Sequence, residues 1–189
     1  MGGYMMELWD IRDSRGIPTG RTIEKGRTFE DGEYHIAVEA WIINSKGEFL
    51  IQKRSSRCVH YPNVWSLTAG RIQAGEDAKE GCIREVREEI GLELNREELI
   101  HLAHINREDG SHMIWDVFLA RRDIPAGELI LDPDEVAEVR WVSAGELEHM
   151  IRTEEIFTYP EILDFLCLIT EKYLYSNAET DSRAERGQE

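Results

Sequence analysis

The sequence predicts an α/β sandwich in which helices cover both faces of a mixed β-sheet. Three observations predict it. Short runs rich in β-branched and aromatic residues recur between residues 34 and 142 with turn signals between them. One strongly periodic helical stretch interrupts them at 77–90, and two further helical segments follow at 144–152 and 160–174. At 189 residues and 41% hydrophobic, the chain can bury one core well but not two. We therefore expect an N-terminal extended segment packed on the main domain (1–33), the domain itself (34–175) and a disordered acidic tail (176–189).

Taken in order, Leu8 to Ile11 and Thr19 to Ile23 flank the turn-rich SRGIP and predict a hairpin, followed by a polar loop, EKGRTFEDGE, at 24–33. HIAVEAWII, ending at Ile43, is strand-like; Asn44 to Gly47 is a turn, and Glu48 to Lys53 returns as a second strand. RSSRCVHYPN at 54–63 is a basic and aromatic loop before a short strand, Val64 to Thr68. Gly70 and Gly75 then sit in a short polar connection. Asp77 and Glu80 have the spacing of a helix N-cap and its reciprocal acid, and the helix runs to Gly91. Leu99 to Ile105 and Met113 to Ala120 alternate as paired strands around REDGSH, Val136 to Val142 is another strand, and Ser143 caps the helix after it. Trp9, Trp41, Trp65, Trp115 and Trp141 all fall in or beside these strands and read as core. The polar tail from Asn177 has nothing to bury.

The net charge of −16 argues against a nucleic-acid partner, and an anionic substrate would need metal ions and a few placed arginines. Cys58, Cys82 and Cys167 are odd in number and widely spaced, which suggests neither a disulfide framework nor a zinc site and fits a reducing cytoplasm. MGGYMMELWDIRD lacks a basic segment followed by an apolar one, and Met6 stands where a myristoylation signal wants Ser or Thr. No apolar run approaches the roughly 20 residues of a membrane span. The expectation is a cytoplasmic monomer or homodimer with a small-molecule substrate, no nucleic-acid partner and no membrane partner.

The helix carries the chemistry. Glu85, Glu88 and Glu89 fall at i, i+3 and i+4 and share one face, while Ile83, Val86 and Ile90 look inward. Three clustered carboxylates repel one another unless a cation sits among them. Their hard oxygens favour Mg²⁺ or Mn²⁺, and Arg84, one turn before Glu88, can hold an acid in place. The competing reading is a solvated acidic face.

The whole string from 70 to 92, GRIQAGEDAKEGCIREVREEIGL, resembles the signature of the Nudix hydrolase family at every fixed position: Gly70, Glu76, Arg84-Glu85, Glu88-Glu89, Gly91 and the aliphatic Leu92. The resemblance implies a Nudix-type α/β/α sandwich with a mixed β-sheet over roughly 34–173, and metal-dependent hydrolysis of a diphosphate linked to another group. It assigns Glu85, Glu88 and Glu89 as metal ligands, with the backbone carbonyl of Ala69 as a further one. It gives Glu85 or Glu88 the activation of water, Arg84 the orientation of a glutamate, and Glu76 the bracing of the loop. Glu135 and Glu138 are candidates for a later acid that joins the metal site or acts as base. Arg54, Arg71 and Trp65 are candidate substrate contacts, and Phe157 and Tyr159 lie in a loop suited to specificity.

A narrower resemblance joins YHIAVEAWIINSKGEFLIQKRS, YPNVW and DPDEVAEVRW to the branch that includes isopentenyl diphosphate isomerase. That pattern carries Cys-Gly-His where this chain has Ala69-Gly70-Arg71, and two glutamates where it has Ser111, His112 and Met113. His35 does match an isomerase metal-binding histidine, but packing in a strand explains it as well. The resemblance therefore favours a hydrolase within the isomerase-like branch. A binding module without activity is the third reading, and four crowded ionisable groups argue against it.

Overall fold

A computed structural model of the chain describes residues 7–175; the expected tail lies outside the described residues. The strands are β1 (Leu8–Arg12), β2 (Pro18–Glu24), β3 (His35–Ile43), β4 (Glu48–Arg54), β5 (Trp65–Ser66), β6 (Thr68–Arg71), β7 (Ile100–Asn106), β8 (Met113–Arg121) and β9 (Val136–Ser143). The helices are α1 (Ala78–Ile90), α2 (Ala144–Arg152) and α3 (Ile162–Ile169), the last continued by a π-helical turn over Thr170–Tyr175. No helix among the described residues is long and apolar enough to cross a membrane.

Every residue of β3 is buried, as a near-continuous apolar run requires of a strand covered on both faces. β8 pairs with it in parallel from His35↔Met113 to Ile43↔Arg121, and β7 closes that side antiparallel to β8. The other side of β3 is divided. β6 runs antiparallel along its first half, from Ala37↔Arg71 to Ala40↔Thr68, while β4 meets it only at Ile43↔Phe49. β4 pairs instead with β9 and β5. The sheet thus opens between β3 and β4, and β6 lies against β3 on that side.

The connection expected to include Gly70 begins only after Arg71. Gly70 and Arg71 belong to β6, because their backbone groups complete the ladder of β3.

Period-two alternation along β3 separates two cores. Ile36, Val38 and Ile42 pack with Cys82, Val86 and Ile90 of α1, whereas Trp41 and Ile43 pack with residues of α2 and α3 such as Leu147, Phe165 and Ile169. Val86 and Ile90 are fully buried, each worth about 1.5–3 kcal/mol of burial. Ile83, expected among the inward residues, is half-buried and packs against this core, and Cys82 and Glu89 are buried as well. Trp9 and Trp41 are core residues, but Trp65, Trp115 and Trp141 are half-buried.

The N-terminal hairpin of β1 and β2 forms a separate two-stranded sheet. Reciprocal backbone bonds between Arg12 and Tyr34, at 2.8 and 2.9 Å, tie it to the start of β3. His35 is buried and stacks against the rings of Trp9 and Phe29, at 5.2 and 4.7 Å, and neither of its ring nitrogens has a hydrogen-bond partner among the described residues. Burial, reinforced by the charge of Arg71, lowers its pKa to about 3, so it is neutral at ordinary pH.

Candidate active site

Local chemistry fixes both ends of α1. The Asp77 side chain accepts from the Glu80 N–H at 3.0 Å, and the Glu80 carboxylate accepts from the Asp77 N–H at 2.9 Å. Gly91 ends the helix at φ +68°, where a Cβ would also meet the Ile130 carbonyl at 2.7 Å.

Arg84 is the hub of the loop before the helix. Its guanidinium donates to both Glu76 oxygens at 2.7 and 3.0 Å, to Glu85 and Glu88 at 2.9 Å each, and to the Arg71 carbonyl at 3.0 Å. Glu76 also accepts from the Gln73 N–H at 2.7 Å, which ties the loop to the helix. Burial works against ionisation of Glu76, but Arg84 and the Gln73 N–H hold its pKa below the usual value. Burial likewise opposes the charge on Arg84, and its three acids outweigh that and raise its pKa.

Glu85, Glu88 and Glu89 are not equivalent, although the sequence places them on one face. Glu89 is 3% exposed and accepts from Gln52 Nε2 at 2.6 Å; Gln52 in turn accepts from Thr68 Oγ1 at 2.9 Å. Burial, with the charges of Glu85 and Glu135, pushes Glu89 up to about 8 against the pull of Gln52 and Arg54. Burial also pushes Glu85 up to about 7, with Arg84 pulling down and Glu135 and Glu88 adding to the rise. The Glu88 side chain is half exposed. Gly70 makes room for this arrangement, because a Cβ there would lie 2.1 Å from the Glu85 carboxyl carbon.

Glu85 and Glu88 turn towards Arg84 and Glu89 towards Gln52. Accordingly, no group of three acids, histidines or cysteines among the described residues stands in a metal-holding arrangement. The donor chemistry nonetheless fits a hard divalent cation: crowded carboxylates, two of them withdrawn from water and reluctant to ionise, one half-buried and one buried, lie beside the Ala69 and Gly70 backbone. A cation there would compete with Arg84 for Glu85 and Glu88.

The other sequence candidates separate into two groups. Arg54, Arg71, Ala69 and Glu135 line the same cleft as the three helix acids, together with Glu7, Trp9 and Lys25 from the N-terminal hairpin. The Arg71 guanidinium lies over the Trp9 ring at 4.6 Å, and Arg54 donates to the His60 carbonyl at 3.0 Å. Trp65 and Glu138 are not brought in. Trp65 is taken up by Arg140 and Lys53, at 4.7 and 5.9 Å from its ring, and Glu138 is exposed on β9 opposite Lys53.

From Arg54, Ala69, Gly70 and Arg71 the cleft continues into an apolar trough. Phe157 reaches it because its N–H donates to the Trp65 carbonyl at 2.7 Å, fixing that loop to β5. Sequence reasoning missed Gln52, Trp115 and Glu39 as site residues. A signal for Glu39 exists, since it is the lone acid inside the apolar run of β3.

The family model described as NUDIX domain matches residues 33–163. An uncharacterised Nudix hydrolase of Listeria monocytogenes is 32% identical over 155 residues, covering 82% of this chain and 90% of the relative. Isopentenyl-diphosphate delta-isomerase of Escherichia coli is 28% identical over 147 residues, covering 75% of this chain and 79% of that enzyme. The fold matches the crystal structure of DR0079 from Deinococcus radiodurans with a TM-score of 0.66 at 22% identity, over 85% of this chain and 97% of that one.

Proposed function

The chain belongs to the Nudix family as a pyrophosphohydrolase, and we propose that it uses Mg²⁺ or Mn²⁺ to cleave the phosphoanhydride of an organic diphosphate. The observation that carries this is the pairing of two crowded glutamates, the half-buried Glu85 and the buried Glu89, with a cleft that runs past Arg54 and Arg71.

Bound at the Ala69 carbonyl and the three helix glutamates, the metal would supply charge neutralisation and an acidified water. The protein's own contribution is positional. Arg84 and Glu76 hold the helix and the preceding loop in one arrangement, Gln52 orients Glu89, and Gly70 lets Glu85 approach the backbone. Arg54 and Arg71 face the cleft and offer positive charge to the phosphates of a chain that is otherwise strongly acidic. Glu85, Glu88 and Glu135 are the acids in reach for taking a proton from water.

The isomerase reading is the alternative, and the similarity to the Escherichia coli enzyme keeps it in view. Ala69 and Arg71 stand where the isomerase pattern carries Cys and His, and that favours hydrolysis. A product assay with Mg²⁺ or Mn²⁺ over a panel of diphosphates, isopentenyl diphosphate included, tests the proposal. Phosphate-containing hydrolysis products are expected and no shifted double bond. Isomerisation without hydrolysis reverses the ranking.

A further inference from the structure

Beyond Arg54 and Arg71 the cleft widens into two adjoining cavities of about 290 and 430 Å³. Met113, Trp115, Phe157 and Glu39 line both and so form their shared wall. Tyr61, from the loop after β4, packs edge-on against Phe157 at 4.9 Å. Its backbone sits at φ +52° and that of Asn63 at φ +63°, an uncommon conformation that turns the loop at this point.

Glu39 is the exception in this wall. It is 5% exposed, and its Oε1 accepts from Trp41 Nε1 at 2.8 Å and from the Tyr159 hydroxyl. Its Oε2 forms no hydrogen bond within the described residues, although the side chain faces both cavities. In either protonation state that free side is polar. Ionised, Oε2 accepts; protonated, with Oε1 occupied by two donors, Oε2 carries the hydrogen and donates. Ser66 Oγ and Asn106 Oδ1, on residues lining the two cavities, are buried without a hydrogen-bond partner among the described residues. An unpaired carboxyl oxygen in a cleft walled by aromatic side chains calls for a partner from a ligand or from water.

We infer that this trough receives the organic half of the substrate, and that Glu39 selects diphosphates bearing a nucleobase-like ring over those bearing a hydrocarbon chain. The inference rests on the acidic end of the cleft being the diphosphate-cleaving site. Aromatic walls suit a flat ring, and the ring's N–H and ring-nitrogen groups pair with Glu39. A hydrocarbon chain fills the same walls but strands the Glu39 carboxyl without water or partner.

The test compares the wild-type protein with Glu39→Leu and Glu39→Gln in Mg²⁺. The probes are ADP-, GDP-, CDP- and UDP-sugars, set against isopentenyl and geranyl diphosphate. At least one nucleotide probe should exceed both prenyl probes by about 100-fold or more in kcat/KM. Glu39→Leu should lose about 100-fold on that probe and narrow its lead over geranyl diphosphate. Glu39→Gln keeps the Oε1 acceptor and places an amide NH₂ at the cavity, so it should reorder the four bases by about tenfold. A wild-type preference for a prenyl probe, or unchanged ratios in both variants, overturns the inference. If the wild type cleaves none of the probes, the hydrolase reading fails separately. Calorimetric titration of ADP, GDP, CDP, UDP and geranyl diphosphate then decides the role of Glu39. Nucleotide binding that Glu39→Leu weakens at least tenfold supports it, whereas no nucleotide binding, or binding equal in the variant, overturns it.

Discussion

The two ends of the cleft are built by different means. At the acidic end, Arg84, Glu85, Glu88 and Glu89 come from successive turns of one helix, and the loop before it supplies Glu76, bonded to Arg84 at 2.7 Å. At the aromatic end, Met113 and Trp115 come from β8, Glu39 from β3, Phe157 and Tyr159 from a late loop and Tyr61 from an early one. The acidic end is held by charge. The aromatic end is held by packing, by two hydrogen bonds onto Glu39, by the Phe157 N–H on the Trp65 carbonyl and by one ion pair, Arg107 with Glu161 at 2.8 Å. Perturbing the charges of the helix should therefore affect the first end severely and the second little.

The largest effect should come from the helix acids. Glu88→Gln and Glu89→Gln are each expected to lower turnover by about 1,000-fold or more with the melting temperature retained, and a chelator should abolish wild-type activity until Mg²⁺ or Mn²⁺ is restored. Near-normal rates in both variants would place the metal site elsewhere. Gly70→Ala comes next. The new methyl displaces the end of a flexible Glu85 side chain rather than backbone, so the expected result is about 100-fold less activity with little loss of stability. Turnover and thermal melting together check it.

Arg84→Met should sharpen the contrast through stability. It leaves Glu76, Glu85 and Glu88 without their shared donor, and a loss of about 2 kcal/mol in denaturant unfolding is expected. The smallest effect concerns pH. In metal-free protein between about pH 6.5 and 8.5, the unfolded chain has its glutamates ionised. Folded Glu89, raised to about 8, and Glu85 and Glu39, each raised to about 7, still hold part of their protons there. The folded state thus binds more protons, and stability falls as pH rises, by up to ~1.4 kcal/mol per pH unit for each proton. His35 has the opposite sign, but its depressed pKa acts mainly below its ordinary value of 6.5. Glu89→Gln should flatten the slope measured by melting temperature against pH; an unchanged slope would contradict the burial of Glu89.

α1, its caps and the grouping of its acids are legible in the residues alone, because a capping box and i, i+3, i+4 neighbours depend only on residues close along the chain. The fold class is legible there too, since β3 and β8 are apolar enough to require cover on both faces. Tertiary structure decided the rest. It buried Glu89 against Gln52, 37 residues away, and left Glu88 half exposed. The same packing turned Gly70 into a strand residue, withdrew Trp65 to the sheet edge and brought Tyr159 to Glu39 across 120 residues. The periodicity of a helix or strand says which side chains share a face. What covers that face, and so which acid loses its water, depends on segments the pattern cannot pair.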